Sequence, residues 1–273
     1  MMMIEKMAFI GAGSMAESIL TGILNSDILP KERIYITNKS DKERLAFLEN
    51  TYAVQNNEDK NETVDGADIV VIAVKPHDVE AAVSSISDCL TPDQLVISVV
   101  AGVSTDTISK TLGNDIPVVR AMPNTSSAAG QSATAVARGP FAKDQHLETA
   151  LALFNTIGTA IEVREEDMHT VTAISGSGPA YVYYLVEAME KAAVDAGLGQ
   201  ETAQDLITQT IVGAGEMLKT SGLDPAELRE NITSPGGTTQ AGVEALGKHN
   251  FQEAIARCVE SARERSIELG KKK

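Results

Sequence analysis

The feature that most constrains the fold lies near the start of the chain, where a short apolar strand runs directly into a glycine-rich turn and a helix. Met7–Ile10 is apolar, residues 11–16 read GAGSMA, and a helical pattern follows to about Leu24. This G-x-G-x-x-A spacing in a strand–turn–helix context is typical of a dinucleotide-binding unit. The first glycine permits the tight turn, the second lets a pyrophosphate approach the backbone, and the small Ala16 lets the helix pack on the strand. A glycine-rich turn alone is often only a turn, but this context favours a dinucleotide on the helix N-terminus.

Length and composition limit the classes of function. The chain has 273 residues, enough for two domains, and its 43% hydrophobic and 22% charged residues are those of a soluble globular protein. The formal net charge of −15 argues against nucleic acid as a partner, because phosphate binding needs a basic surface. Cys89 and Cys258 lie far apart, which fits reduced thiols in a cytoplasmic protein. Neither a secretory signal nor an uncharged run of roughly 20 apolar residues is visible, so no membrane association is expected.

Further apolar runs predict the rest of a parallel sheet. Strands are expected at Arg33–Thr37, Asp68–Val74, Leu95–Val100, Ile116–Arg120, Ser132–Arg138 and Ala160–Val163, with a helix at 143–157 before the last. In an open α/β sheet, ligands bind beyond the carboxyl ends of the strands. We therefore predict an α/β, Rossmann-type doubly wound domain over residues 1–164, with its cofactor held by the loops that follow the strands.

The turn after the second strand indicates which dinucleotide is bound. An NAD site usually carries Asp or Glu here, bonded to the ribose hydroxyls, whereas this chain has Asn38-Lys39-Ser40. A cation and two small polar groups suit a 2′-phosphate, so NADP is favoured, with NADH also usable. Asp41 is expected to cap the next helix, and a ribose contact is its alternative role.

From Arg164 onward the pattern is helical. Helices are expected at Thr170–Gly197, Gln200–Ser221, Pro225–Asn231, Thr239–His249 and Phe251–Gly270, so residues 165–273 are predicted to form an all-helical second domain. The closing Lys271–Lys273 is expected to be a solvated tail. Two stretches stand out: Ser175–Pro179 reads SGSGP at the start of the first helix, and Thr233–Thr239 is a polar, glycine-rich turn that opens another helix.

The first of these helices is apolar almost all round over Val182–Val194, and a helix without a polar face is normally covered. The Gly-Ser-Gly at its start suggests that backbone comes close to another body. That body could be a ligand, a second subunit or a neighbouring helix, and tight helix packing is the simpler reading of these residues alone.

Several motifs occur in one order along the chain: GAGSMA at 11–16, AVKP at 73–76, RAMPNT at 120–125, SGSGPAY at 175–181 and SPGGTT at 234–239, closed by SARERSIEL at 261–269. With them the chain resembles pyrroline-5-carboxylate reductase over essentially its whole length. The first motif is shared by many oxidoreductases, whereas SGSGPAY with SPGGTT at this separation is much more specific. Departures are small: Lys39 stands where many bacterial members have Arg, and Ser126 stands where Pro is usual.

The resemblance implies reduction of 1-pyrroline-5-carboxylate to L-proline with NADPH or NADH, the last step of proline biosynthesis. It implies a helical domain that interlocks two subunits in a homodimer, and members also form higher assemblies such as a decamer. It implies that Thr239 faces the imine nitrogen and acts in catalysis with Ser234. The substrate-binding residues are then Gly236, Gly237, Thr238 and Ser177. The cofactor-binding residues are Ile10, Gly11, Ala12, Gly13, Ser14, Met15, Asn38, Lys39, Ser40, Ala73, Val74, Lys75, Pro76, Ala101, Gly102, Pro123 and Asn124.

Two alternatives stay open. A β-hydroxyacid dehydrogenase also joins a Rossmann domain to a helical one, but it needs a catalytic lysine on the interdomain helix, and Lys191 lies well past SGSGPAY. The other is a non-catalytic NADP-binding protein of the same fold. The intact glycine-rich turn at residues 11–16, called the phosphate loop, and the intact SPGGTT motif count against it. No metal-ligand spacing or G-x-S-x-G motif is visible, and the four scattered histidines are expected on the surface or in loops rather than in catalysis.

Overall fold

A computed structural model describes residues 2–113 and 115–271, with side chains to residue 270 at the C-terminus. The chain divides into two compact units. Unit 1 comprises the residues up to Ser177 together with those from Ala262 onward, and unit 2 comprises Gly178–Ser261. This division differs from the predicted one at Arg164, because residues 165–177 and the end of the last helix belong to unit 1. The side chains of the predicted lysine tail lie outside the described residues.

Unit 1 is built on one eight-stranded sheet. Its strands are β1 (Met7–Ile10), β2 (Ile34–Thr37), β3 (Gln55–Asn56), β4 (Ile69–Ile72), β5 (Leu95–Ser98), β6 (Val118–Met122), β7 (Ser132–Arg138) and β8 (Gly158–Glu162). Their order is β3-β2-β1-β4-β5-β6-β7-β8. The first six are parallel, β7 runs antiparallel to β6, and β8 runs parallel to β7. The order reverses between β1 and β4, which is the arrangement of a Rossmann fold.

Helices cover both faces of this sheet. They are α1 (Ser14–Asn25), α2 (Lys42–Tyr52), α3 (Lys60–Val64), α4 (Val79–Ser84), α5 (Thr105–Leu112), α6 (Asp144–Phe154) and α7 (Met168–Val171). Successive side chains of a strand point to opposite faces. Accordingly, Met7 and Phe9 pack in the core under α1, α2 and α6, and Ala8 and Ile10 pack in the core under α3, α4 and α5. The predicted doubly wound sheet is confirmed.

The segment after β8 joins unit 1 because it packs on the far strands. Met168 is fully buried against Ala135 and Ala137 of β7, and the five residues Thr172–Gly176 that follow α7 form a π-helical turn. The end of the last helix, α12 (Phe251–Lys271), also belongs here: the Ser266 hydroxyl lies 2.9 Å from Nδ1 of His169. These contacts place both segments with the sheet rather than with the helices that lie between them in the sequence.

Unit 2 consists of α8 (Gly178–Asp195), α9 (Gln200–Thr220), α10 (Pro225–Asn231), α11 (Thr238–Lys248) and the part of α12 up to Ser261. The predicted helices are confirmed to within two residues, apart from the first, whose N-terminal turns form α7 and the π-helical turn. None of the side chains of α8 is buried within the single chain. Across the described residues, no helix has both the length and the hydropathy of a membrane span.

Candidate cofactor and substrate sites

Gly11 occupies the point where the strand order reverses. Its φ angle is +113°, and its N–H donates to the carbonyl oxygen of Thr37 at 2.8 Å, which ties the end of β1 to the end of β2. A Cβ atom added here would lie 2.3 Å from the carbonyl oxygen of Ala73, just beyond β4. Only glycine fits, since both the positive φ and the close approach exclude a side chain.

The N-terminus of α1 is open to an anion. Gly13 is its N-cap residue, no side chain among the described residues caps it, and a Cβ on Gly13 would meet nothing within 4 Å. The backbone N–H groups of the first turn are therefore free of side-chain acceptors, next to the positive end of the helix dipole. Ala16 is fully buried in the core below, as the motif predicts. This geometry fits a pyrophosphate.

An ion pair that the sequence does not reveal supports the phosphate loop. Arg44 Nε donates to the carbonyl oxygen of Ala12 at 2.8 Å, and the same guanidinium pairs with Glu17. The Glu17 carboxylate also accepts a hydrogen bond from the Tyr52 hydroxyl at 2.8 Å. Burial raises the pKa of Glu17, but the hydrogen bonds from Arg44 and Tyr52 outweigh it and lower that pKa overall. The guanidinium of Arg44 holds the Ala12 carbonyl in place, and Glu17 neutralises its charge. Arg44 therefore acts as a brace for the loop.

The turn after β2 is ordered by Asn38. Its Oδ1 accepts the N–H groups of Ser40 at 3.0 Å and Asp41 at 2.9 Å, and its Nδ2 donates to the Asp41 carbonyl. Asp41 caps α2 by accepting the Arg44 N–H at 2.9 Å, so the predicted cap is confirmed. The amide of Asn38 thus shapes the turn that presents its neighbour Lys39.

Lys39 is exposed but already has an anionic partner. Its Nζ lies 3.1 Å from Oδ1 of Asp78, which lies in the turn after Lys75 and Pro76. The hydrogen bond from Lys39 lowers the pKa of Asp78, so this carboxylate is ionised at neutral pH. A 2′-phosphate bound by Lys39 would therefore share the ammonium group with Asp78.

The other predicted cofactor loops lie along the same edge of the sheet. Ala73 N–H donates to the Ile10 carbonyl oxygen at 2.9 Å, so Ala73–Pro76 begins beside the phosphate loop. Ala101 and Gly102 follow β5, which pairs with β4, and Pro123 and Asn124 follow β6, which pairs with β5. The structure thus brings these predicted residues together at the carboxyl ends of neighbouring parallel strands. Pro123 and Asn124 are buried, whereas Lys75 and Pro76 are exposed.

The predicted substrate loop lies in unit 2 and opens α11. Gly237 N–H donates to the Ser234 carbonyl oxygen at 3.0 Å, and Gly236, with φ +71°, donates its N–H to Oε1 of Gln240 at 2.7 Å. Gly237 is the N-cap residue, and no side chain of the described residues caps the helix. The N–H groups of Thr238 and Thr239 therefore stand at an uncapped helix N-terminus, which suits a carboxylate.

The predicted residues thus fall into two sets. Unit 1 carries the cofactor loops and Ser177, and unit 2 carries Ser234, Gly236, Gly237, Thr238 and Thr239. Sequence reasoning missed the bracing residues Arg44 and Glu17, whose partners become visible only in the folded chain. It also missed Gln240, although its spacing of four residues from Gly236 is a local capping signal. Glu17 and Arg44 lie on different helices, so no helical spacing of opposite charges predicts their pairing.

His146 is not the surface or loop residue that the sequence predicts. Its side chain is 4% exposed, and Nδ1 accepts the Lys143 N–H at 3.0 Å, which satisfies a free donor at the start of α6. The prediction was wrong because a histidine at the third position of a helix can do the work of the usual Glu or Gln. Burial, followed by the Lys143 charge, lowers the pKa of His146 and keeps the ring neutral.

A cavity of about 570 Å³ lies beside α1 and does not coincide with the cofactor edge. Its lining includes Glu17, Tyr52 and the segment 127–130, and it contains Ser14 from the predicted set. Ser18 and Thr21, which also line it, donate their hydroxyls to helix carbonyls at 3.0 and 2.8 Å. It carries no part of the strand ends and is assigned no role in the site.

Comparison with known proteins matches both parts of the chain. A family model described as pyrroline-5-carboxylate reductase dimerisation matches residues 165–269, and one described as NADP oxidoreductase, coenzyme F420-dependent, matches residues 6–102. Pyrroline-5-carboxylate reductase 2 of Bacillus subtilis is 49% identical over 265 residues, covering 97% of this chain and 95% of that protein.

Two solved structures are similar along the whole chain. A pyrroline-5-carboxylate reductase from Coxiella burnetii is 35% identical with a TM-score of 0.92, covering 98% of this chain and 99% of that one. The Plasmodium falciparum pyrroline carboxylate reductase, solved with NADP bound, is 32% identical with a TM-score of 0.87, covering 99% of this chain and 100% of that one.

Proposed function

The chain belongs to the pyrroline-5-carboxylate reductase family, and from this premise we infer that it reduces 1-pyrroline-5-carboxylate to L-proline with NADPH. The observation that carries the inference is the 49% identity to a named member over 97% of the chain, which spans both predicted sites. The β-hydroxyacid dehydrogenase alternative is not favoured, and neither is a non-catalytic binding protein.

The residues of unit 1 fit a dinucleotide. The uncapped N-terminus of α1 would hold the pyrophosphate, since the backbone at Gly13 leaves room for it and the free N–H groups attract anions. Lys39 would face the 2′-phosphate, with Asn38 holding its turn in shape. The loops at Ala73–Pro76, Ala101–Gly102 and Pro123–Asn124 would follow the cofactor along the strand ends. When bound, NADPH supplies the hydride.

The substrate is an imine that carries a carboxylate. We assign its carboxylate to the N–H groups around Gly237 and Thr238, where an uncapped helix N-terminus offers donors and a favourable dipole. The Thr239 hydroxyl, half-buried, is assigned to the imine nitrogen. Ser234 is assigned to catalysis with it, and Ser177 of unit 1 to substrate binding. The imine can arrive already protonated, so no strong acid–base pair is required. These residues then accelerate the reaction mainly by positioning.

We also propose a homodimer that works in the cytoplasm. The apolar helix α8 is exposed in the single chain, with Val182 41% and Leu185 39% exposed, and a second copy would cover it. The match of residues 165–269 to a dimerisation domain supports this partner. Cys89 and Cys258 are both free thiols, as expected in a reducing compartment.

The test of the function is NADPH oxidation by the purified enzyme with 1-pyrroline-5-carboxylate, against 3-hydroxy acids with NADP. In the same assay, Thr239→Val should lower kcat/KM by about 10- to 100-fold, because it keeps the shape but leaves the imine nitrogen without a hydrogen bond. The dissociation constant for NADPH should stay within about threefold, because the cofactor loops belong to unit 1.

Thr238→Val is the matched control. The same change is made one residue earlier, where we expect mainly the backbone N–H to be used, so its kcat/KM should fall less. Full activity of Thr239→Val with loss in Thr238→Val would show that the register of the loop is wrong. Full activity of both variants would show that the substrate site lies elsewhere.

A further inference from the structure

Asn124, which follows β6, has a protein partner for every polar group it carries. It is 8% exposed, its N–H donates to the Ser132 hydroxyl at 3.1 Å, and its carbonyl oxygen accepts the Ser127 N–H at 3.1 Å. Its Oδ1 accepts the Ser126 N–H at 3.1 Å, which caps the short 3-10 turn Thr125–Ala129. A residue so fully engaged is suited to holding other groups in place.

The remaining bond of Asn124 reaches 51 residues along the chain. Nδ2 donates to the carbonyl oxygen of Ser175 at 2.9 Å, inside the π-helical turn Thr172–Gly176. In a continuous α-helix this carbonyl would accept the N–H of residue 179, four residues later, but residue 179 is proline and has none. The Asn124 amide therefore supplies a donor that the backbone cannot.

The π-helical turn is seated on the end of β6 at a second point. A Cβ atom on Gly176 would lie 2.9 Å from Cε of Met122, so the glycine backbone packs against the end of the Met122 side chain. Ser177, the residue assigned to the substrate, follows directly and donates its N–H to the Thr172 carbonyl at 2.8 Å. Single π-helical turns occur often at functional sites.

We propose that Asn124 is a positioning residue for hydride transfer: its side-chain amide fixes the Ser175–Ser177 turn at the carboxyl end of β6, on the edge of the sheet that is assigned to the cofactor. The proposal rests on the proposed function, and it gives Asn124 a different role from the direct cofactor contact that the sequence predicts. Loss of the amide should let the turn shift and should disturb the alignment of substrate and cofactor.

The test uses Asn124→Asp and Asn124→Ser in the full-length enzyme. Both residues are good N-caps, so the Ser126 N–H keeps its acceptor, while the donor to Ser175 is lost. Both variants lose the donor, but only Asn124→Asp adds a negative charge. A comparison of the two therefore separates the effect of the lost donor from that of the charge. Asn155→Asp is the control, since the exposed Asn155 uses its Oδ1 to accept the Ala160 N–H and should tolerate the change.

We expect kcat/KM for 1-pyrroline-5-carboxylate to fall about 10- to 100-fold in both variants, with the NADPH dissociation constant changed less than about threefold. The primary deuterium isotope effect on kcat should rise, because hydride transfer becomes slower relative to product release. A variant that merely loses folded protein would lower kcat without changing the isotope effect or KM.

Three results would overturn the proposal. One is wild-type kinetics in both variants. Another is lost activity with an unchanged isotope effect, which would make the role purely structural. A third is NADPH binding weakened more than tenfold with an unchanged KM for the imine, which would make Asn124 a cofactor contact. Failure of the function itself is distinguishable, because the wild-type enzyme would then not oxidise NADPH with this substrate.

Discussion

At the residue scale, the pairing of Lys39 with Asp78 bears on the 2′-phosphate contact that we propose for Lys39. The two residues are 39 positions apart, and nothing in either local sequence pairs them. Both the ammonium and the carboxylate lie near the surface, so the pair contributes little to stability. The pair affects charge instead: the Asp78 carboxylate lowers the positive potential around Lys39 that a 2′-phosphate would meet.

Two opposite substitutions test this. Lys39→Asp should raise the KM for NADPH about 10- to 100-fold and affect NADH less, because a charge-assisted hydrogen bond to the 2′-phosphate is lost. Asp78→Asn should lower the KM for NADPH about two- to fivefold and leave NADH nearly unchanged, since it frees the ammonium. Steady-state kinetics with both cofactors gives the ratio of the KM for NADPH to the KM for NADH in each variant.

Lys110→Asp, at an exposed lysine of α5, is the control for a general charge effect in a chain of net charge −15. It should leave the ratio of the two KM values unchanged. Equal losses with NADPH and NADH in Lys39→Asp would remove Lys39 from the 2′-phosphate site.

At the element scale, the start of α6 depends on a neutral histidine. His146 Nδ1 can accept the Lys143 N–H only while that nitrogen carries no proton. Burial lowers the pKa of His146 in the folded state below the ordinary value near 6.5. The unfolded chain therefore takes up the proton first as the pH falls. The stabilisation is complete above about pH 6.5 and declines as the pH falls towards the folded-state pKa.

His146→Gln isolates the pH-dependent contribution of His146 to the stability of the fold. Glutamine at this helix position can accept the same N–H at every pH, so the variant should lie within about 1 kcal/mol of wild type at pH 7.5. Between pH 7 and 5, the melting temperature of wild type should fall more steeply than that of the variant. The other three histidines are common to both proteins and cancel in the difference. Parallel pH profiles would contradict the capping role.

Elements could be predicted where a local pattern decides them. The strand β1 and the turn after it follow from residues adjacent in sequence, and α10 follows from Pro225 at its first position with Asp224 as its cap. The strand β3, Gln55–Asn56, could not be predicted, since two polar residues show no periodicity. The π-helical turn could not either, because the donor that stabilises it, Asn124, comes from another part of the chain.

The same distinction holds for the candidate site. The phosphate loop is a backbone motif, so glycine spacing is enough to predict it, and the uncapped start of α11 is likewise visible in the glycine-rich turn before it. Arg44 and Asp78 are side-chain partners brought in by the fold, and no spacing rule predicts them, because each depends on which surfaces tertiary packing brings together. Gln240 differs, since it accepts the Gly236 N–H only four residues away, from the helix position where Gln often helps to cap a helix.

At the scale of the whole molecule, the two units differ in what they bury. Unit 1 has continuous cores on both faces of its sheet. In unit 2, large apolar side chains of α8, α9 and α11 remain exposed, among them Tyr184 at 76%, Leu206 at 58% and Leu246 at 49%. Exposed apolar surface on this scale marks an interaction site in a soluble protein. A net charge of −15 does not favour association, so burial of this surface has to provide the driving force.

Leu185→Glu tests whether a second copy covers α8. A carboxylate at this position would be buried without a partner in the dimer, a cost of several kcal/mol that would shift the equilibrium to monomers or aggregates. Because unit 2 would then expose its apolar helices, activity should be largely lost. Leu185→Met, which nearly conserves volume, should remain dimeric and active. Sedimentation velocity across a tenfold range of concentration gives the assembly state of each protein. A monomeric, active wild type, or a Leu185→Glu variant that remains dimeric and active, would show that α8 does not form the dimer interface.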